Sequence, residues 1–246
     1  MIFRKKNEEG IVVYVATKPY FRNEAKLSIA QLQKVMPKQK IKIFTDVVSE
    51  FAGFENVSPI EIKNPENSFR DKVNALTSVK EGKVLFLDTD IYVGEDISVL
   101  FKLLDDGYEM AMAHATARMN TSQCFPDFNS GVFAFRNSKK VSSILDAWKA
   151  ELLSKKNGYP DQPILSNLVY KNKVKVFTLP TELNFRGGQT AILSGKVSVV
   201  HLHWQNRFGF DNEKLFKFVN NSQNNRVFLP EEKVMIDEKN VRFEYK

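Results

Sequence analysis

Hydrophobic positions along this chain fall into two kinds of stretch. Short continuous apolar runs at 11–17, 41–46 and 83–87 are too brief for helices and too uniformly apolar for half-exposed strands, so they predict buried strands of a parallel sheet. Between them, 22–36 places Ala25, Leu27, Ile29, Ala30, Leu32 and Val35 at a roughly helical period before Pro37 ends it, and 68–76 opens a second helix capped by Ser68 or Asn67. The stretch 51–62 is mixed and punctuated by Pro59 and Pro65, which allows only a short edge strand. Strand and helix alternate in the manner of an α/β sheet.

The second half continues less regularly. A helix is expected over 97–104, a strand over 109–113, a loop of small and polar residues over 114–127, and an alternating strand over 128–135 introduced by Asn129, Ser130 and Gly131. An amphipathic helix over 142–153 carries Trp148, and another starts near Pro163, a residue suited to a first helical position. A strand over 174–179, a loop over 180–188 holding Asn184 and Arg186, and a late strand over 197–204 ending in His201 and His203 follow. After Asn206 the pattern weakens to a short helix over 213–219, a polar turn-like segment and one or two weak strands. We therefore expect a main domain over 1–206 and a C-terminal extension over 207–246, without internal repeats.

Composition adds a globular character, with 43% hydrophobic and 12% aromatic residues, so the chain is not expected to be disordered. No run is long enough to span a bilayer and the first residues lack the apolar core of a signal peptide, which predicts a cytoplasmic protein. The single cysteine, Cys124, excludes an internal disulfide and a cysteine metal cluster and reads as an inert loop residue. A net charge of +7 favours anionic partners such as nucleotide phosphates or an anionic membrane surface. The basic residues are scattered and carry no nucleic-acid-binding signature, so no nucleic-acid partner is expected.

Candidate chemistry concentrates where the 83–87 run ends in Asp88-Thr89-Asp90. Two acids one residue apart, at the carboxyl end of a buried strand and followed by apolar Ile91 and Tyr92, stand where α/β sheets bind ligands and where unpaired charge is expensive. They can serve a divalent cation and, through it, a diphosphate. Thr17 and Tyr20 face the same edge from the first strand. Arg70 and Lys72 stand in the first turn of the second helix, an unfavourable place for cations unless a phosphate lies nearby.

Four pieces in order, Phe86-Leu87-Asp88-Thr89-Asp90, Phe128-Asn129-Ser130-Gly131-Val132, Asp161-Gln162-Pro163-Ile164-Leu165 and Val199-Val200-His201, resemble the GT-A glycosyltransferases and among them the retaining family 8 group. The resemblance covers about 11–204. It implies a Rossmann-like mixed sheet flanked by helices and transfer of a sugar from a nucleotide-diphosphate donor, UDP-linked, to a hydroxyl of a glycan or glycolipid. It implies Mn2+, or Mg2+ in its place, held by Asp88, Asp90 and His201, with His203 a weaker candidate. Asn129 would bond the donor sugar, with Thr89, Ser130 and Asn184 beside it, and Asp161 and Gln162 would lie at the anomeric carbon. Asp161 also suits the ordinary role of helix cap. The family's Gly and Lys-Pro-Trp after the late histidine are replaced by Trp204-Gln205-Asn206-Arg207, which leaves Arg207 as substitute for a diphosphate-gripping lysine.

The same Asp-Thr-Asp string is also similar to the opening motif of haloacid-dehalogenase-type phosphatases. That motif normally starts a first strand, whereas some eighty residues of α/β pattern precede it here, and no downstream Asp-Asp pair at a strand end is evident. A sugar-nucleotide-binding module without turnover is the remaining alternative. A calcium loop fails because Val93 and Val99 occupy the positions that need Gly and Glu.

Overall fold

A computed structural model of the chain describes residues 10–115, 126–202 and 209–245. Its elements in order are β1 (Ile11–Ala16), α1 (Pro19–Val35), β2 (Ile41–Thr45), β3 (Val57–Glu61), α2 (Phe69–Ser78), β4 (Lys83–Leu87), β5 (Ile91–Val93), α3 (Val99–Asp105), β6 (Met110–His114), β7 (Phe128–Arg136), α4 (Lys139–Ser154) and α5 (Gln162–Lys171). There follow β8 (Val176–Thr178), β9 (Phe185–Arg186), β10 (Ala191–Leu193), β11 (Val199–His201), α6 (Asn212–Val219), β12 (Arg226–Leu229), β13 (Val234–Asp237) and β14 (Arg242–Glu244).

Seven strands make the main sheet in the order β3-β2-β1-β4-β7-β6-β8. The first four are parallel to one another, β7 runs against both β4 and β6, and β8 is parallel to β6. The chain steps outward from β1 to β3 and then returns to the other side of β1 with β4. Their carboxyl ends flank a topological switch point, the place where α/β sheets open a ligand crevice. Pro59 sits in β3, an edge strand whose ladder partner is β2, so its missing N–H is tolerated.

The continuous apolar runs arise because the sheet is covered on both faces. Val12, Tyr14 and Ala16 pack with Ala25, Ile29 and Leu32 of α1 and with Leu100 and Leu104 of α3. Ile11 and Val13 point the other way, with Val84 and Phe86, into a core shared with Val73 and Leu76 of α2, Leu145 and Trp148 of α4, and Ile164 and Leu165 of α5.

The boundaries move for identifiable reasons. Pro19 starts α1 three residues ahead of the apolar period, because its fixed φ suits a first turn. Ser138 caps α4 by accepting from the Val141 amide at 3.2 Å, which extends that helix upstream. Ser68, not Asn67, caps α2, and Asp71 completes a capping box, so an acid does occupy the first turn beside Arg70 and Lys72. The late strand is only Val199–His201, and β5, too short to show a period, pairs with it.

Residues after 206 do more than the expected helix and weak strands. β12, β13 and β14 join β10 in a four-stranded sheet, and Phe218, Phe228 and Met235 share one core with Phe185, Leu193, Val197 and Val200. Among the described residues no helix is long and apolar enough to cross a membrane.

Candidate functional site

Asp88 follows β4 directly and Asp90 precedes β5, so three residues, Asp88, Thr89 and Asp90, separate a strand of the main sheet from a strand of a small one. The small sheet, β5-β11-β9, sets His201 opposite Ile91. Asp88, Asp90 and His201 consequently offer one ligand atom each, all within 4.8 Å of one another. Such a donor set, two carboxylates and one imidazole, suits a divalent cation of intermediate softness.

The tautomer of His201 is dictated by a chain of hydrogen bonds that starts at a backbone amide. The Gly131 N–H donates to Asn129 Oδ1 at 3.1 Å, and Asn184 Nδ2 donates to the same oxygen at 2.9 Å. Asn184 must then present its oxygen to His201 Nδ1, 3.0 Å away, so Nδ1 is the donor there and, in the neutral ring, Nε2 is the nitrogen left to bind a metal. Nε2 lies 3.4 Å from Asp90 Oδ1. An imidazole oriented through its other nitrogen is the usual support of a metal ligand. Gly131 keeps the space in front of these groups open: a Cβ there would lie 2.4 Å from His201 Cε1 and 2.6 Å from Asp88 Oδ2. The residues thus fit a cation on geometry, tautomer and room.

Lys72 reaches from α2 to the base of the site. Its ammonium donates to the Ser130 carbonyl at 2.7 Å and Ser130 Oγ at 2.9 Å, and stands 3.3 Å from Asp88 and 3.4 Å from Asp161. Burial alone would lower its pKa, but Asp161 and Asp88 reverse the sign and hold it above the usual lysine value. Burial pushes the Asp88 carboxyl up, Lys72 pulls it back, and Asp90 raises it further. A divalent cation would relieve that repulsion.

Asp161 is buried and makes no cap bond to α5; its Oδ2 accepts from Ser130 Oγ at 2.8 Å. Its backbone carbonyl receives the Trp148 indole N–H at 3.0 Å, which ties the start of α5 to α4. Gln162 is the first residue of α5 and half-buried.

The other expected site residues divide. Thr17 donates to Asp71 Oδ2 at 3.1 Å and is bound into the α2 cap. Tyr20 is 53% exposed at the start of α1, and burial followed by its bond to Glu24 lifts its hydroxyl pKa to about 12. Asn129 and Asn184 are buried behind His201 and orient it, while Ser130 is buried between Lys72 and Asp161. Arg70 is not brought to Asp88: its guanidinium binds Glu66 at 2.8 Å and the Leu153 and Lys155 carbonyls at 3.3 and 2.6 Å, closing the C-terminus of α4. His203, Arg207, Cys124 and most of the 114–127 loop lie outside the described residues.

Sequence reasoning missed Glu24. It is an exposed-looking acid in a helix, yet its Oε2 accepts from Thr89 Oγ1 at 2.8 Å, and burial, with Asp90 and Asp88 adding, raises its carboxyl above the ordinary value. The one available signal was position, one turn after Tyr20 on the same face.

Comparison with known proteins bears on the fold and the family. The glycosyltransferase GlyE of Streptococcus pneumoniae TIGR4 superposes with a TM-score of 0.57 at 22% identity, over 82% of this chain and 57% of that one. This chain thus spans little more than half of GlyE. An active-site mutant of LgtC gives 0.58 at 14% identity, over 86% of this chain and 95% of LgtC. Mouse xyloside xylosyltransferase 1 gives 0.56 at 12%, over 80% and 98%. These likenesses identify the fold as GT-A. No curated protein matches the chain. The family model for nucleotide-diphospho-sugar transferases matches residues 66–218, more than half of the chain and a span that contains Lys72, Asp88, Asp90, Asn129, Asp161, Gln162, Asn184 and His201. The chain belongs to the nucleotide-diphospho-sugar transferase family.

Proposed function

We propose that this protein transfers a sugar from a UDP-linked donor to an acceptor hydroxyl on a glycan or glycolipid, with retention of anomeric configuration and dependence on Mn2+, for which Mg2+ substitutes less well. The observation that carries the reading is the convergence of Asp88, Asp90 and the Nε2 face of His201 at the switch-point crevice. A divalent cation held by these three residues would neutralise charge on the departing diphosphate.

The remaining work falls to the chain's own residues. Lys72 adds a fixed positive charge at the floor of the site, and Asp161 holds that ammonium in place. Gln162, adjacent to Asp161, presents a neutral amide that cannot act as a base; it stabilises positive charge on the sugar ring without trapping it. The departing diphosphate oxygen takes the acceptor's proton, so the acceptor oxygen forms its bond to the anomeric carbon on the face from which the diphosphate leaves, which gives retention. Tyr20 and Thr17 are assigned to the nucleoside end of the donor, and Arg207 to its diphosphate. The basic balance of the chain suits peripheral contact with an anionic membrane surface on the cytoplasmic side, where a glycolipid acceptor resides.

Calorimetry with UDP and Mn2+ tests the metal assignment: Asp90→Ala should abolish metal-dependent binding, and unchanged affinity would remove Asp90 from the ligand set. Gln162→Ala should lower kcat by about 10² or more while changing donor affinity little, because its contact strengthens in the transition state. Proton NMR of the first-formed glycoside reads the stereochemistry, and an inverted anomeric centre would sink the retaining mechanism. A wild-type protein that binds UDP-sugar with Mn2+ but never cleaves it would instead be a binding module.

A further inference from the structure

Glu24, Ser28 and Gln31 of α1 follow the i, i+4, i+7 spacing that sets side chains in one row. Each is bound to the segment leaving the Asp88–Asp90 turn. Glu24 Oε2 accepts from Thr89 Oγ1 at 2.8 Å, Ser28 Oγ donates to the Ile91 carbonyl at 2.5 Å, and Gln31 Nε2 donates to the Val93 carbonyl at 3.2 Å. The partners are alternate residues of the stretch that runs from the turn into β5. Seven residues of helix rise about 10 Å and four of strand about 13 Å, so the row keeps pace with the strand. Ser28 also shares a hydrogen bond with the Tyr14 hydroxyl of β1 at 3.1 Å, which anchors the row to the main sheet.

The three cation ligands belong to two bodies. Asp88 is part of the main sheet, its amide donating to the Gly131 carbonyl at 2.8 Å and its carboxylate facing Lys72. Asp90 and His201 are part of the small sheet, joined by the β5–β11 pairing and by the Leu202 amide on the Asp90 carbonyl at 3.4 Å. Ile91 and Val93 also bury apolar surface against the main core, but such contact is non-directional and does not choose a position along α1. The hydrogen-bonded row does.

We propose that the Glu24–Ser28–Gln31 row is the positioning element that sets the separation between Asp88 and the Asp90–His201 pair, and that divalent-cation affinity depends on it through the Glu24–Thr89 bond. This rests on the cation site proposed above. Glu24 acts as a hydrogen-bond acceptor for Thr89, and its charge is not the operative property.

The test is Mn2+ titration followed by the electron paramagnetic resonance signal of free Mn2+, on wild type, Thr89→Val, Glu24→Ala, Glu24→Gln and Gln31→Ala, each with a thermal melt. Thr89→Val and Glu24→Ala should raise the Mn2+ Kd about 10-fold or more, the usual cost of losing an outer partner of a metal ligand. Glu24→Gln, whose amide oxygen still accepts from Thr89, should restore affinity near wild type. Gln31→Ala, remote from the ligands, should weaken binding in the same direction and covers the case in which a Thr89 or Glu24 variant fails to fold. Wild-type affinity in Thr89→Val, with normal binding by the parent, would overturn the row. Equal losses in Glu24→Gln and Glu24→Ala would show that charge attracts the cation, and would overturn it too. A parent protein that binds no Mn2+ would instead sink the cation site itself, taking the row's proposed role with it.

Discussion

Asn184 shows how much of the site depends on atoms that never face a ligand. Its amide is oriented by Asn129, which is oriented by a backbone N–H, and the result is a defined imidazole tautomer at His201. Asn184→Ala should therefore weaken Mn2+ binding about 10- to 100-fold while the protein stays folded, as calorimetry paired with circular dichroism would read. Lys72 carries the opposite lesson. With Asp161 buried beside it, Lys72→Met should cost about 3–5 kcal/mol in urea unfolding, because a buried carboxylate is left unpaired. Asp88 and Asp90 were legible in the sequence because their spacing and placement after an apolar run carry chemistry on their face, whereas His201 entered through the family resemblance and the structure brings it beside them. Asn184 and Lys72 were legible as polar residues near the right edge, but not in their roles, which depend on partners far away in sequence. Arg70 looked like Lys72 from spacing alone; two positions along a helix turn a side chain to another face, and there it meets the end of α4.

Among the elements, the buried strands were the easiest to read, since double coverage forces unbroken apolar runs. The strands of two or three residues, β5, β8, β9, β10, β11 and β14, are too short to show a period; β8 and β11 lie inside longer predicted strands, whereas β5, which leads out of Asp90, was not expected. The turn between β13 and β14 illustrates a local stabilisation that no periodicity reveals. Burial would raise the Asp237 carboxyl, but the Val241 amide, Asn224, the Lys239 amide and Ser222 all donate to it and hold it below the ordinary aspartate value. A depressed folded-state pKa contributes stability that is present above the unfolded value and is lost as pH falls through the folded one. The melting temperature should accordingly drop on acidification below the ordinary carboxylate range, and Asp237→Asn should show a lower plateau with a shallower acid limb. Melts between pH 2 and 7 for both proteins check this, and parallel curves would remove Asp237 from the account.

For the molecule as a whole, the fold class was legible and the boundary drawn after residue 206 was less so, because composition weakens there while packing does not. Phe228 and Met235 sit in the same core as Phe185 and Val200, one residue from His201. A chain ended at 206 should expose that core, losing cooperative unfolding and metal binding together, as near-ultraviolet circular dichroism and Mn2+ titration would report. The shared core also has a consequence for biosynthesis. Chains emerge from the ribosome amino-terminus first, at roughly 5–20 residues per second. The strands flanking Asp88 and Asp90 are complete early, yet the core behind the histidine side of the cluster is not filled until the 228–235 segment has emerged and folded back. A nascent chain can therefore form the crevice beside Asp88 before the proposed cation site can close, and that closure waits on residues more than a hundred positions downstream.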